Sequence, residues 1–304
     1  MAKVKVSRKV TRSVGKKPKP KPLEVVLPTE PTVPSLNFRD YSLLVHGEKK
    51  IGKTTLFAQE EKAFFMEWDP EQRALPIIQQ AFSDWATFKA YVREMQRQAK
   101  VGKLPYRTVI VDGADLMYDA CFEWACKKLV ITHPHDEDDF GKSWRFIKDA
   151  YLKTVLDLLR LPGVATRFIC HSTWKEQKDR RGATSSKLVP NLTKQAEEVL
   201  TGLVDLWGAY CYDGRDRVLV VRGDEQTGAG HRIDHRFKTT DGRLVEEIDM
   251  GTSPSQAYAN LLAAFDCTQD YATLAELRER RKAATKKKGG RVKRKSTTQS
   301  ESRE

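Results

Sequence analysis

The chain has 304 residues, enough for one large domain with appendages, and Lys and Arg exceed Asp and Glu by 13. No stretch approaches the roughly 20 apolar residues of a membrane span. Residues 1–22 lack the apolar core of a secretory signal, and the five cysteines (Cys121, Cys126, Cys170, Cys211, Cys267) show no C-x-x-C spacing. A membrane span, a secreted disulfide scaffold and a thiolate zinc site are therefore set aside, and the expected location is the cytoplasm.

The positive charge is concentrated at the two ends. Residues 1–22 carry nine Lys and Arg and no acid, Arg278–Lys295 carries eleven against Glu279, and residues 23–277 are left at about −5. Such tails offer little apolar surface to offset the entropy of ordering, so both are expected to be disordered. They would attract phosphate backbones in a salt-dependent way, or merely serve solubility. Pro22–Pro34 (PLEVVLPTEPTVP) predicts an extended linker. The expected organisation is a tail and linker over 1–36, a folded core over 37–250, a helical region over 251–283 and a second basic tail over 284–304.

The first apolar run, Tyr41–Val45, predicts a strand, and it leads into Gly47-Glu48-Lys49-Lys50-Ile51-Gly52-Lys53-Thr54-Thr55. That segment fits G-x-x-x-x-G-K-[ST] in every position. Backbone N–H groups of such a loop cradle nucleotide phosphates, a lysine reaches the β- and γ-phosphates, and a hydroxyl ligates Mg2+. Lys53 and Thr54 take these roles, and the glycines let the chain turn and approach the phosphates.

Ala63–Trp68 predicts the next strand. Alternation sets Phe65, Glu67 and Asp69 on one face, so either acid could polarise a water; Asp69 stands at the strand end, where Pro70 stops the ladder. Asp84–Lys100 has helical periodicity. Thr108–Asp112 is an apolar strand ending in an acid, the pattern expected to hold Mg2+ through water. Helices are predicted over Ala114–Val130 and Ser143–Leu161, with the segment His133–Asp139 between them read as a solvated acidic loop rather than a metal site.

Ala165–His171 predicts a strand tipped by His171, a group able to sense the γ-phosphate. A basic loop follows, carrying Trp174, Lys175, Lys178, Arg180, Arg181 and Lys187: charges for phosphates and a ring on which a base could stack. Leu206–Tyr212 and Arg217–Arg222, joined by a turn too short for a crossover helix, predict an antiparallel hairpin at one end of the sheet. A last helical region spans Ser253 to about Arg281. The alternation of strands and helices argues an α/β fold with a mostly parallel central sheet and helices on both faces.

With HGEKKIGKTT, AFFMEWD, RTVIVDGAD and RFICHSTWKE in this order, the chain resembles the RecA-like P-loop ATPases over roughly residues 38–240. The likeness is greatest to phage RecA-like recombinases and single-strand annealing ATPases, the phage AAA-family ATP-binding proteins. The resemblance implies ATP and Mg2+ as cofactors and a water-activating acid at Asp69 or Glu67, although a Glu is usual where Asp69 stands. It further implies a γ-phosphate sensor at His171, in place of the amide common in cellular members, and a mobile DNA-binding loop over 172–188. Arg222 and Arg232 are candidate arginine fingers toward a neighbouring subunit, which would imply a ring or filament.

The implied activity is a DNA-stimulated ATPase acting on single-stranded DNA in recombination, annealing or repair, alongside a single-strand-binding protein and in a host cytoplasm if phage-encoded. Two other readings use the same loop: a small-molecule phosphotransferase, and a DNA-binding protein with ATP as a structural ligand. For the former, the sequence offers no compact lid segment with inward-facing arginines.

Overall fold

The computed structural model describes residues 27–69, 72–136, 138–178, 182 and 184–298, with side chains described as far as 286. It divides into two units, Met1–Pro34 and Ser35–Glu304. In the first, Leu27–Pro34 carries no regular element. The basic residues 1–22, Arg180 and Arg181 lie outside the described residues.

The second unit is a mixed α/β layer structure. Its strands are β1 (Leu43–Gly47), β2 (Ala63–Glu67), β3 (Ile78–Ala81), β4 (Thr108–Asp112), β5 (Ala165–Lys178), β6 (Thr184–Pro190), β7 (Leu206–Asp213), β8 (Asp216–Val220), β9 (Gly230–His231) and β10 (Glu247–Asp249). Its helices are α1 (Lys53–Phe57), α2 (Trp85–Lys100), α3 (Ala114–Leu129), α4 (Lys142–Leu159), α5 (Lys194–Leu203), α6 (Pro254–Phe265) and α7 (Leu274–Thr298). The strand order is β10-β8-β7-β1-β5-β4-β2-β3. The neighbours from β7 to β3 run parallel, as expected of strands linked by helical crossovers. β7 and β8 form the expected antiparallel hairpin, but β10 adds outside it, so the hairpin stands one strand in from the edge.

Alternation along the strands builds two cores. Leu44, Phe64, Met66, Val109, Val111 and Phe168 face α2, α3, α4 and α5, while Leu43, Val45, Phe65, Ile110, Ile169 and Tyr210 face α1 and α6. A one-residue slip of any central strand would exchange these faces, so register is fixed by burial. Helix starts follow local chemistry: Asp84 accepts from the Thr87 N–H at 2.8 Å ahead of α2, and Ser253 precedes Pro254 at the first position of α6.

Three further features differ from the sequence expectation. The strand expected to end at His171 continues to Lys178 and pairs with β6, so the described parts of the expected loop over 172–188 form an antiparallel arm. Thr and Trp favour extended backbone, and the ladder satisfies amides that a loop would leave to water. The final helical region is broken between Phe265 and Leu274, and α7 then runs to Thr298, into the stretch where order was expected to fade. Its Ala, Leu, Glu, Lys and Arg are strong helix formers. Finally, the short strand β3 beside β2 was not anticipated. No helix among the described residues is long and apolar enough to cross a membrane.

Candidate nucleotide site

The site forms where parallel strands end together. β5 lies between β1 and β4, so His171 is in register with Gly47 on one side and Ile169 with Asp112 on the other. β2 adds Glu67 directly opposite Asp112. Carboxyl ends of parallel strands converge on one crevice, the usual ligand position in open α/β sheets. Here that crevice is a cleft of about 480 Å3 lined by Lys49, Lys50, Gly52, Lys53, Thr54 and Thr55 of the phosphate loop together with Asp69, Asp112 and His171, while Ile51 packs into the core. Gln72, Ala74 and Leu75, which sequence reasoning missed, also line it.

The loop is built for close backbone approach. A Cβ on Gly47 would stand 2.3 Å from the Tyr210 carbonyl oxygen, so β1 and β7 can pack as they do only with glycine there. Gly52 has φ +114° and no side chain caps the helix that follows, which leaves the first N–H groups of α1 for a ligand. Lys53 is buried, and Nζ donates to the Gly47 and Glu48 carbonyl oxygens at 3.0 and 2.7 Å. Burial lowers its pKa, while Asp112, Asp115 and Asp69 oppose that shift.

The Thr54 hydroxyl donates to Asp112 Oδ2 at 2.6 Å. Burial pushes the Asp112 pKa up to about 6, with Asp69 adding to the rise and Thr54, Lys53 and His171 opposing it. Glu67 is fully buried, neither carboxylate oxygen has a hydrogen-bond partner, and burial with Asp112 and Asp69 nearby raises its pKa to about 8. Asp69 by contrast is half-buried and opens to the cleft.

This donor set fits Mg2+. It is all oxygen, and mutually repelling carboxyl groups would be relieved by a cation. Among the described residues no group of three or more His, Cys, Asp or Glu could hold a metal, so Thr54 and Asp112 would share the ion with phosphate and water oxygens.

His171 Nδ1 lies 3.0 Å from Asp115 Oδ2, in the first turn of α3, and Asp115 Oδ1 is buried without a partner. Asp115 was not singled out from the sequence. Its position three residues after Asp112, in the first turn of the helix that follows that strand, is the signal that could have found it.

Beyond His171 the arm carries the residues expected to meet DNA. Trp174 is 64% exposed and Lys178 is exposed. Lys175 donates to Glu197 at 2.5 Å and stands opposite Lys187, which is half-buried. By alternation the arm carries Trp174 and Lys178 on one face and Lys175 and Lys187 on the other, and Lys175 is tied to α5.

The two candidate fingers lie elsewhere. Arg232 is paired with Asp205 at 2.9 Å, and Asp205 just precedes β7 at the amino end of the parallel strands, opposite the phosphate loop. Arg222 follows β8 near that same end, with Nε and Nη2 buried and without partners. Neither arginine lines the nucleotide cleft. In the segment His133–Asp139 the described contacts are structural: the rings of His133 and His135 stack on each other at 5.1 Å and both meet Trp144 edge-on, and Asp139 accepts from the Ser143 N–H ahead of α4. An apolar cavity of about 330 Å3, lined by Phe64, Tyr91, Met95 and Tyr106, sits at the amino end of β2 and β4, away from these groups.

Comparison with known proteins agrees with this geometry. A family model described as an AAA domain matches residues 39–233. The SPbeta prophage-derived uncharacterized protein YorG of Bacillus subtilis (strain 168) is 21% identical over 146 residues, 48% of this chain and 44% of that protein, so the shared segment spans less than half of the relative. With its phosphate loop, its Thr54–Asp112 pair and a mostly parallel sheet flanked by helices, the chain belongs to the AAA domain family of nucleotide-binding P-loop ATPases.

Proposed function

We propose that this chain is a Mg2+-dependent, RecA-like ATPase that binds single-stranded DNA through the β5–β6 arm and acts in recombination, annealing or repair. One observation carries the reading: β5 is a continuous strand whose inner half brings His171 to the nucleotide cleft and whose outer half presents Trp174 and Lys178 to solvent. A shift of His171 on meeting a γ-phosphate would be transmitted along that strand to the arm, a conformational switch of the kind nucleotide hydrolysis drives.

Within the cleft, Lys53 would neutralise phosphate charge once its ammonium turns from the loop carbonyls. Asp69, open to the cleft, would accept the proton of the attacking water, while Glu67 is too enclosed to reach it. Bound Mg2+, held by Thr54 and Asp112, would supply charge neutralisation at the phosphates. Asp115 holds the His171 ring in position.

The prophage origin of YorG supports a phage-encoded protein working in the host cytoplasm. A ring or filament of copies, and a single-strand-binding protein as helper, complete the proposal. The test is the ATPase rate with no DNA, single-stranded DNA and duplex DNA. Several-fold stimulation by single strands alone is expected; one unchanged rate in all three would refute the coupling.

A further inference from the structure

β1 has β4 two places to one side and β8 two places to the other. On the β4 side stand Asp112 and Thr54, the groups suited to Mg2+ and the terminal phosphate. On the β8 side stands Arg217, half-buried at the start of its strand. Its Nη1 lies 3.4 Å from where a Cβ of Gly52 would be, in the same neighbourhood as the Thr55 hydroxyl and the Tyr210 phenol.

Arg217 differs from the arginines around it. Arg278 pairs with Asp213 and Asp216, and Arg281 pairs with Asp249. Arg217 donates from Nε and Nη2 to one neutral acceptor, the Gly251 carbonyl, at 3.3 and 3.0 Å. Among the described residues no carboxylate lies within ion-pairing distance of it. The guanidinium is therefore fixed by two of its nitrogens, its charge is met by no carboxylate among the described residues, and its third nitrogen turns toward the phosphate loop. A guanidinium so held matches a phosphate oxygen in geometry and charge, with little side-chain freedom left to lose on binding.

We propose that Arg217 is a second cationic contact for the nucleotide. It meets the nucleotide at the α-phosphate end of the chain, while Lys53 and the ion held by Asp112 serve the terminal end. The inference deepens the ATPase reading and rests on it.

The experiment is calorimetric titration of the full chain with ATP and with ADP, each with Mg2+, for wild type, Arg217→Ala, Arg217→Gln and Lys53→Ala. Gln keeps a donor for the Gly251 carbonyl but removes the charge, which separates loss of the contact from loss of the fold. Both Arg217 variants are expected to weaken ATP and ADP by the same factor, about tenfold, as for loss of one charged hydrogen bond. Wild-type affinity in Arg217→Gln, or weakening confined to ATP, would overturn the α-phosphate assignment while leaving the ATPase reading intact. No binding by wild type would overturn both.

Discussion

His46 and Ser172, 126 residues apart in the chain, are joined by a 2.8 Å hydrogen bond between the imidazole Nδ1 and the hydroxyl oxygen. The other ring nitrogen lies 2.8 Å from the Gly228 carbonyl oxygen, which can only accept, so Nε2 carries the proton and Ser172 donates to Nδ1. The residue before the phosphate loop is thus tied to the first residue of the arm. Burial lowers the His46 pKa to about 4, with the Gly228 bond opposing and Lys53 reinforcing the shift.

A pH dependence of stability follows. The folded pKa lies below the ordinary value of 6.5, so between the two the unfolded chain binds more protons. The contribution of His46 is complete above 6.5 and is lost as pH falls through about 4, amounting to at most about 3 kcal/mol. Urea midpoints from pH 8 to 4 should fall in that window, and His46→Asn should flatten the slope. An equal slope in the variant would remove His46 as the cause.

Asp69 and Glu67 separate by exposure. Asp69→Asn is expected to reduce kcat at least about 100-fold while ATP still binds. Glu67→Gln should cost far less activity. Because the Glu67 pKa is raised above its unfolded value, its favourable contribution is present below about 4.5 and is lost as pH rises through about 8. Glu67→Gln should accordingly be more stable than wild type at pH 9, as read by thermal unfolding. Equal kcat losses in the two variants would contradict the assignment.

Trp174 projects from the arm with little to hold it. Trp174→Ala should weaken single-stranded DNA binding by about 1–3 kcal/mol, the usual worth of a stacked base, and leave the unfolding midpoint within about 0.5 kcal/mol of wild type. Fluorescence anisotropy with a labelled oligonucleotide is the measurement. Unchanged affinity would move the DNA contact off this face.

Arg167 and Glu60 form an ion pair at 2.9 Å with both side chains fully buried, and Arg167 Nη1 also donates to the Tyr41 carbonyl at 2.6 Å. Arg167→Met strands the Glu60 carboxylate and should cost about 3–5 kcal/mol. Replacing both members with apolar residues should recover much of the loss in chemical denaturation; a double variant as unstable as the single would mean that Glu60 is not the burdened partner.

The sheet was legible because its central strands are short apolar runs punctuated by helical periodicity, and the phosphate loop and Asp112 because their residue types are dictated by phosphate chemistry. The arm was not, since from Ser172 outward both faces meet solvent or half-buried surroundings and no hydrophobic alternation marks a strand. β3 hid for a similar reason: Gln79 and Gln80 interrupt an edge strand only partly covered. Arg217 was invisible because its nearness to Gly52 is created by strand order, across 165 positions of sequence. Glu67 and Asp69 share a strand face in sequence, and only burial tells them apart.

Gly47 sits against the Tyr210 carbonyl. The first glycine of the nucleotide motif is thus answerable to the sheet: any larger residue would have to push β7 away from β1 before a phosphate arrived. Inactive Gly47 variants would report a sprung seam between two strands, and the motif's apparent single purpose would divide into a glycine kept for architecture and a lysine kept for chemistry.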